Sequence, residues 1–207
     1  MLSADDFKSY SKSSLITIFV GQGASTVELA AHEDQLFRSP FFEMALRKDW
    51  CGGRTRKIEL LDDHGGTVEC YLDFLYTRQV PDDHHIDQLA NLYVLGQKLL
   101  DIKFKNAVLA RILQTAKRLE DGGHFYGSFN DSEVAIRIMY ECTPSGSLGR
   151  QLLVDIFFAA SESNKLEDDF HPEFTHDLLV KFMDHRSRPL LGELELARYQ
   201  EKVEDDD

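Results

Sequence analysis

The sequence predicts an α+β fold in which a small sheet of short strands is flanked by a cluster of helices. The run Leu15–Val20 is apolar and rich in β-branched residues, as in a buried strand. Apolar residues alternate with other residues over residues 27–31, which indicates a second, half-buried strand. After Pro40 the apolar spacing changes to the helical period, and it is helical in most of the remaining chain. Strands at the beginning followed by helices are typical of this class.

Length and charge limit the kinds of function. With 207 residues, the chain is long enough for one domain and a helical appendage, and its 43% hydrophobic residues permit a substantial core. Its 23 basic and 36 acidic side chains give a formal net charge of −13. Such a surface repels nucleic acid and anionic membranes, and the densest basic run, residues 54–57, has only three charges. We therefore expect neither as a partner.

Cysteine use and hydropathy predict an intracellular protein, cytoplasmic or nuclear. Cys51, Cys70 and Cys142 are far apart and odd in number, so we expect no disulfide framework and a reducing compartment. No secretory signal is recognisable at the N-terminus. No apolar run approaches the roughly 20 residues that a membrane span needs.

The first part of the chain contains three predicted strands and several helices. Gly21 and Gly23 turn the first strand back, but Thr26 stands where a dinucleotide-binding motif has its third glycine. Residues 57–60 form a short third strand. Ser39 is predicted to cap a helix that begins at Pro40, with an apolar face of Phe41, Phe42, Ala45 and Leu46. Thr67 is predicted to cap the next, with an apolar face of Val68, Tyr71, Leu72 and Leu75, and Ile86 begins another.

The second part is predicted to be helical throughout. Asn130 or Asp131 caps a first helix with the apolar residues Val134, Ala135, Ile138 and Met139. Ser145 or Ser147 precedes a second with Leu148, Leu152, Leu153, Ile156, Phe157 and Ala160. Pro172 precedes a third with Phe174, Leu178, Leu179, Phe182 and Met183. Because these faces are wide, we expect the helices to pack on one another and on the end of the first part.

Three motifs in order resemble those of the BTB/POZ interaction domain. The first is the strand, turn and helix of residues 27–49, with the residues His32, Leu36, Ser39 and Phe42. The second is the helix ending Phe74-Leu75-Tyr76-Thr77 with Val80 and Pro81 after it, which in the family leads through a short strand into the next helix. The third is the pair of helices around residues 92–107. Residues 140–147, 152–157 and 171–174 look like the helical tail of many BTB proteins of filamentous fungi.

The resemblance implies four segments and a non-enzymatic function. Residues 1–13 are a polar N-terminal segment, 14–119 a BTB/POZ domain, 120–190 an all-helical extension and 191–207 an acidic tail. Such domains self-associate as homodimers and hold other proteins, so the expected function is a protein–protein interaction module. His32 is expected to hold the strand-to-helix turn by hydrogen bonding. The candidate partner contacts are Trp50, Leu92 and Tyr93.

An alternative implied by the family is a substrate adaptor for a cullin ubiquitin ligase. The chain departs from the family pattern in three places: Ser14 replaces a common Asp, two residues rather than three separate Leu36 from Ser39, and Gly52 replaces the Glu of cullin-binding members. Trp50, just before that glycine, is the residue that could still anchor a partner.

The sequence contains no pattern of an active site, a metal site or a cofactor site. It has neither a Gly-x-Ser-x-Gly elbow nor a His-Glu-x-x-His motif. His84 and His85 are adjacent, but neighbouring side chains point in different directions and no cysteine is near them in the sequence, so we predict a solvent-exposed loop. We expect no enzyme activity and no cofactor.

Overall fold

The protein has the predicted α+β architecture. A computed structural model describes residues 13–47, 57–121, 132–160 and 170–185. The strands in this part of the chain are β1 (Leu15–Val20), β2 (Val27–His32) and β3 (Lys57–Leu60). The α-helices are α1 (Glu33–Leu36), α2 (Pro40–Arg47), α3 (Gly65–Thr77), α4 (Ile86–Lys98), α5 (Ile102–Asp121), α6 (Ser132–Cys142), α7 (Leu148–Ala160) and α8 (Pro172–His185).

The three strands form one sheet in the order β2-β1-β3. Strands β1 and β2 are antiparallel, with Leu15 opposite His32 and Val20 opposite Val27. The hairpin turn contains Gly21 and Gly23, whose φ angles of 85° and 60° favour glycine. Strand β3 is parallel to β1, which requires a crossover connection, and α1 and α2 lie in that connection. All three predicted strands are confirmed.

One apolar core joins the sheet to the helices. In β1, Ile16, Ile18 and Val20 are buried, because alternate residues of a strand point to the same face. Phe42 of α2 stacks on Tyr71 of α3 at a ring-centroid distance of 6.3 Å. Tyr71 in turn meets Phe104 of α5 edge-to-face, with the centroids 4.7 Å apart. The side chains of three helices are thus fixed against one face of the sheet.

The helices of the second part pack on those of the first, as predicted. Helix α6 lies against α4, α7 lies against α5 and α6, and α8 lies against α7. The closest approach is at Gly149 of α7. A Cβ atom there would be 2.7 Å from the ring of Tyr93 and 2.8 Å from the sulfur of Met139, so only glycine fits without a shift. The buried residues of α6, α7 and α8 belong to the same core cluster as those of the sheet.

Four local predictions are wrong. Residues 33–36 form a short helix, α1, where we predicted part of the turn. Helix α3 begins at Gly65 with His64 as its N-cap, so Thr67 lies inside its first turn. Ser39 precedes α2 as predicted, but its buried hydroxyl makes no capping hydrogen bond. The described residues between α3 and α4 contain no strand, although the family resemblance implied one.

The apolar faces of the later helices are confirmed in part, since the predicted residues Ala135, Met139, Leu153, Ile156, Phe157, Phe174 and Leu178 are buried. Val134, Leu148, Leu179 and Met183 are exposed, while Ile136 and Tyr140 of α6 are buried. Pro172 is the first residue of α8 rather than a residue before it. The predicted caps Asn130 and Asp131, Trp50, the basic run at 54–56, residues 1–12 and the acidic tail lie outside the described residues.

Candidate functional site

The turn from β2 into the helices is held by hydrogen bonds to α3. The backbone N–H of His32 donates to the hydroxyl of Tyr76 at 2.9 Å, and Nδ1 of its ring is also 2.9 Å from that hydroxyl. The N–H of Glu33 donates to the carbonyl of Ser14 at 2.9 Å. A guanidinium nitrogen of Arg38 donates to the carbonyl of Leu75 at 3.1 Å. His32 of the first motif and Tyr76 of the second are therefore direct partners.

The other residues of the first motif are structural. Leu36, Ser39 and Phe42 are fully buried, so none of them is available to a ligand or a partner. Their burial fixes the entry of the chain into α2. Among the described residues, the buried Oε1 of Gln35 has no hydrogen-bond partner, which is uncommon for native polar groups.

Two of the candidate partner contacts were predicted wrongly. Leu92 is 2% exposed and Tyr93 is 1% exposed, and α6 and α7 pack on the side of α4 that carries Tyr93. The Tyr93 hydroxyl accepts a hydrogen bond from the N–H of Gly149 at 3.1 Å and lies 3.1 Å from Oγ of Ser147. Tyr93 therefore joins the two parts of the chain, whereas Leu92 lines a cleft between α3 and α4. The third candidate, Trp50, lies outside the described residues.

A buried polar pair supports the corner between α4 and α5. The Tyr71 hydroxyl donates to Oδ2 of Asp101 at 2.9 Å, and Oδ1 of Asp101 accepts the N–H of Phe104 at 2.9 Å. Asp101 thus caps the first turn of α5. Burial raises the pKa of Tyr71, and the neighbouring Asp101 carboxylate raises it further, so the phenol remains a donor at neutral pH. The pair fixes the geometry of the corner.

A cleft of about 560 Å³ lies between the start of α3 and α4. Its lining includes His64, Thr67, Cys70, His84, Gln88 and Asn91. The sulfur of Cys70 is 3.3 Å from Nε2 of His84, although the two residues are 14 apart in the chain. His84 is half-buried and His85 is exposed, with its N–H donating to Oε1 of Gln88 at the start of α4. No motif or spacing in the sequence indicates this Cys–His pair.

The surroundings of Cys70 favour its neutral thiol over the thiolate. Burial raises the pKa of the Cys70 thiol from 9.0 to about 11, and the carboxylates of Asp73, Asp83 and Glu69 add to the shift. A catalytic cysteine needs the opposite environment, because the thiolate is the nucleophile. At neutral pH Cys70 is therefore a neutral thiol. Within the described ranges, no three His, Cys, Asp or Glu side chains are grouped so that they could hold a metal ion.

Arg150 joins the three helices of the extension. Its buried guanidinium donates to the backbone carbonyls of Tyr140 and Thr143 at the end of α6. It also forms an ion pair with Glu173 of α8 at 2.8 Å and lies over the ring of Tyr140. The Tyr140 hydroxyl donates to Asp177 at 2.9 Å. These contacts are structural and hold α6, α7 and α8 in one arrangement.

Exposed apolar side chains occur at two places of functional interest. Leu15, Phe37 and Met44 are exposed at the start of β1, after α1 and on α2. Leu100 and Ile102 are exposed at the corner between α4 and α5. Exposed apolar groups that lie close together indicate a surface for association.

Comparison with known proteins does not assign the chain to a family. No family model matches it, and no curated protein matches it. Among the helices of the described residues, none has the length and apolar character needed to cross a membrane.

Proposed function

We propose that the chain is a non-enzymatic protein–protein interaction module, a BTB/POZ-type domain with a helical extension that forms a homodimer or docks another protein. The proposal rests on the three motifs and on the small, helix-flanked sheet that carries the first of them. The direct hydrogen bond between His32 and Tyr76 supports it, because it ties the first motif to the second.

The observation that carries the proposal is the exposed apolar group of Leu15, Phe37 and Met44. The start of β1 is next to α1, since the N–H of Asp34 donates to Oγ of Ser13 at 3.0 Å. Covering an exposed Leu, Phe or Met side chain stabilises a complex by up to about 1.5–3 kcal/mol. These three exposed side chains therefore offer apolar contacts in the N-terminal part of the chain, where the family pairs its two copies.

Met44 and Met183 provide a matched test of this surface. They are 53% and 54% exposed, and each lies on an amphipathic helix, so substitution of either by Asp leaves the core intact. We expect Met44→Asp to weaken self-association, because a charge would be desolvated at the contact, and Met183→Asp to leave it unchanged. Sedimentation velocity of both variants measures this. If both variants self-associate to the same extent, the self-association contact does not include Met44.

Cys70 supports the non-enzymatic part of the proposal. Cys70 lies beside His84 in a cleft, and burial raises the pKa of its thiol, which lowers the fraction of reactive thiolate at neutral pH. The cullin-adaptor alternative gains no support from the described residues, because Leu92 and Tyr93 are buried. It rests on the resemblance alone, and its test is binding of a purified cullin that Trp50→Ala weakens.

A further inference from the structure

The end of helix α4 has an unusual residue in a left-handed conformation. The N–H of Asp101 donates to the carbonyl of Gly96, and the N–H of Leu100 donates to the carbonyl of Gln97. These two bonds form a Schellman motif, whose central residue is usually glycine because its φ is positive. Here that residue is Leu100, with φ 57°. A leucine is strained in this region, since its Cβ approaches the following carbonyl.

The strained leucine contributes little to the core. Leu100 is 55% exposed, and Ile102, two residues further on, is 67% exposed. Asp101 between them is buried and is held by Tyr71 and by the N–H of Phe104. The backbone of the corner is therefore fixed while two apolar side chains face the solvent. The backbone strain at Leu100 is not offset by packing of its side chain in the core. Such strain suggests that the side chain has a functional role at the surface.

Within residues 97–106 every exposed charge is positive, although Asp62, next to the Asp63 that pairs with Lys98, is also exposed. Lys98 and Lys103 are exposed, and the only acid within residues 97–106 is the buried Asp101. Lys98 forms an ion pair with the half-buried Asp63 at 2.6 Å. Among the described residues, Lys103 has no hydrogen bond or ion pair. The corner thus presents two apolar side chains with an uncompensated lysine.

We propose that this corner, defined as Leu100, Ile102 and Lys103, is a docking site for an acidic segment of a partner protein that also carries apolar side chains. The proposal rests on the proposed interaction function and adds the chemistry of the partner. A carboxylate of the segment pairs with Lys103, while its apolar side chains cover Leu100 and Ile102. The two apolar residues favour a protein segment over a phosphate group, which would need only the positive charge.

The test uses the full chain and a defined probe, a fluorescein-labelled peptide in which Asp and Glu alternate with Leu. Fluorescence anisotropy measures its binding. Leu100→Gly is expected to weaken binding about tenfold, because it removes an apolar contact. It does so without unfolding the protein, because glycine adopts this φ without strain, and the midpoint of thermal unfolding is expected to stay the same or to rise. A lowered midpoint with unchanged peptide affinity would overturn the proposal.

Charge is tested separately with two variants of α5. Lys103→Glu is expected to weaken binding several-fold, and the difference from wild type should shrink at high salt. Lys117→Glu, an exposed lysine further along the same helix, is the matched control for net charge and should have no effect. For the apolar contact, Leu179→Ala is the control, because Leu179 is exposed to the same degree on α8.

The outcomes separate this proposal from the general one. No binding up to about 1 mM peptide, or equal weakening by both lysine variants, would overturn the docking site. A loss of self-association in Leu100→Gly would also overturn it, because a second copy would then be the occupant. Specific peptide binding by a strictly monomeric chain would leave the docking site standing while self-association fails. Self-association of the chain, with peptide binding unchanged in every variant, would support the interaction module and overturn the docking site.

Discussion

The junction between the two parts of the chain depends on the hydroxyl group of Tyr93. This residue is buried in α4 and its hydroxyl reaches the start of α7, where it accepts the N–H of Gly149 and pairs with Oγ of Ser147. Tyr93→Phe removes the oxygen and keeps the ring, so it tests the hydrogen bonds without opening a large cavity. We expect it to lower the free energy of unfolding.

The size of the effect follows from the hydrogen bonds. Two bonds are lost, each with a net value of about 0.5–1.5 kcal/mol. Oγ of Ser147 lies 3.3 Å from the N–H of Gly149 and remains as an acceptor, so that donor is not left without a partner. The expected loss is therefore about 1–2 kcal/mol. For a chain of this size, this corresponds to a fall in Tm of roughly 2–8 °C.

Urea denaturation followed by far-UV circular dichroism measures the loss. Ser147→Ala is the partner variant, and the double variant gives the coupling energy between the two hydroxyls. We expect a coupling of about 0.5–1 kcal/mol, since the residues share one hydrogen bond. If Tyr93→Phe unfolds within about 0.3 kcal/mol of the wild type, the described junction does not hold the two parts together.

Three further predictions concern the core, the extension and the cleft. Gly149→Ala is expected to lower the free energy of unfolding by about 1–3 kcal/mol in a thermal melt, because the new Cβ would be 2.7 Å from an aromatic ring. The higher helix propensity of alanine, about 1 kcal/mol, does not offset this loss. Arg150→Met is expected to lower the free energy of unfolding, measured by urea denaturation, by about 3 kcal/mol, because two buried carbonyls lose their donor. Glu173→Gln is expected to lower it by less than about 1 kcal/mol, because that carboxylate is exposed. Equal losses for the two variants would contradict this assignment. Cys70 is expected to react with iodoacetamide at pH 8 about 100-fold more slowly than a thiol of pKa 9.0, with the exposed Cys142 as internal control in mass spectrometry. Because the folded pKa is the higher one, the unfolding free energy should also fall as the pH rises from 9.0 to about 11, and Cys70→Ala should lack this part of the fall.

The secondary structure was largely predictable because its signals are local. The β-branched run of β1 and the alternation in β2 gave both strands to within a residue. The starts of α2 and α4 at Pro40 and Ile86 were also predicted correctly. The start of α3 was not, because Gly65 and Gly66 are poor helix formers that normally indicate a break. Here the tertiary contacts of the helix outweigh that preference.

The long-range arrangement was not predictable from the sequence, because it depends on which helices meet. Leu92 and Tyr93 belong to an apolar helix, and the sequence does not say whether its outer side faces a partner or another part of the same chain. Helices α6 and α7 cover the side that carries Tyr93, and Leu92 lines the cleft beside α3. The contact of Cys70 with His84 was not predictable for the same reason, because it joins a helix to the loop that follows it. The exposure of Leu100 arises from its backbone conformation, for which leucine gives no signal.

The native mass of the full chain in solution tests the proposed function most directly. Size-exclusion chromatography with light scattering, over about 1–200 µM protein, covers the range of ordinary homodimers. We predict a species of twice the 23.7 kDa of one chain, which Met44→Asp shifts toward the monomer. A monomer of 23.7 kDa at every concentration, together with no protein captured by the tagged chain, would contradict the interaction module.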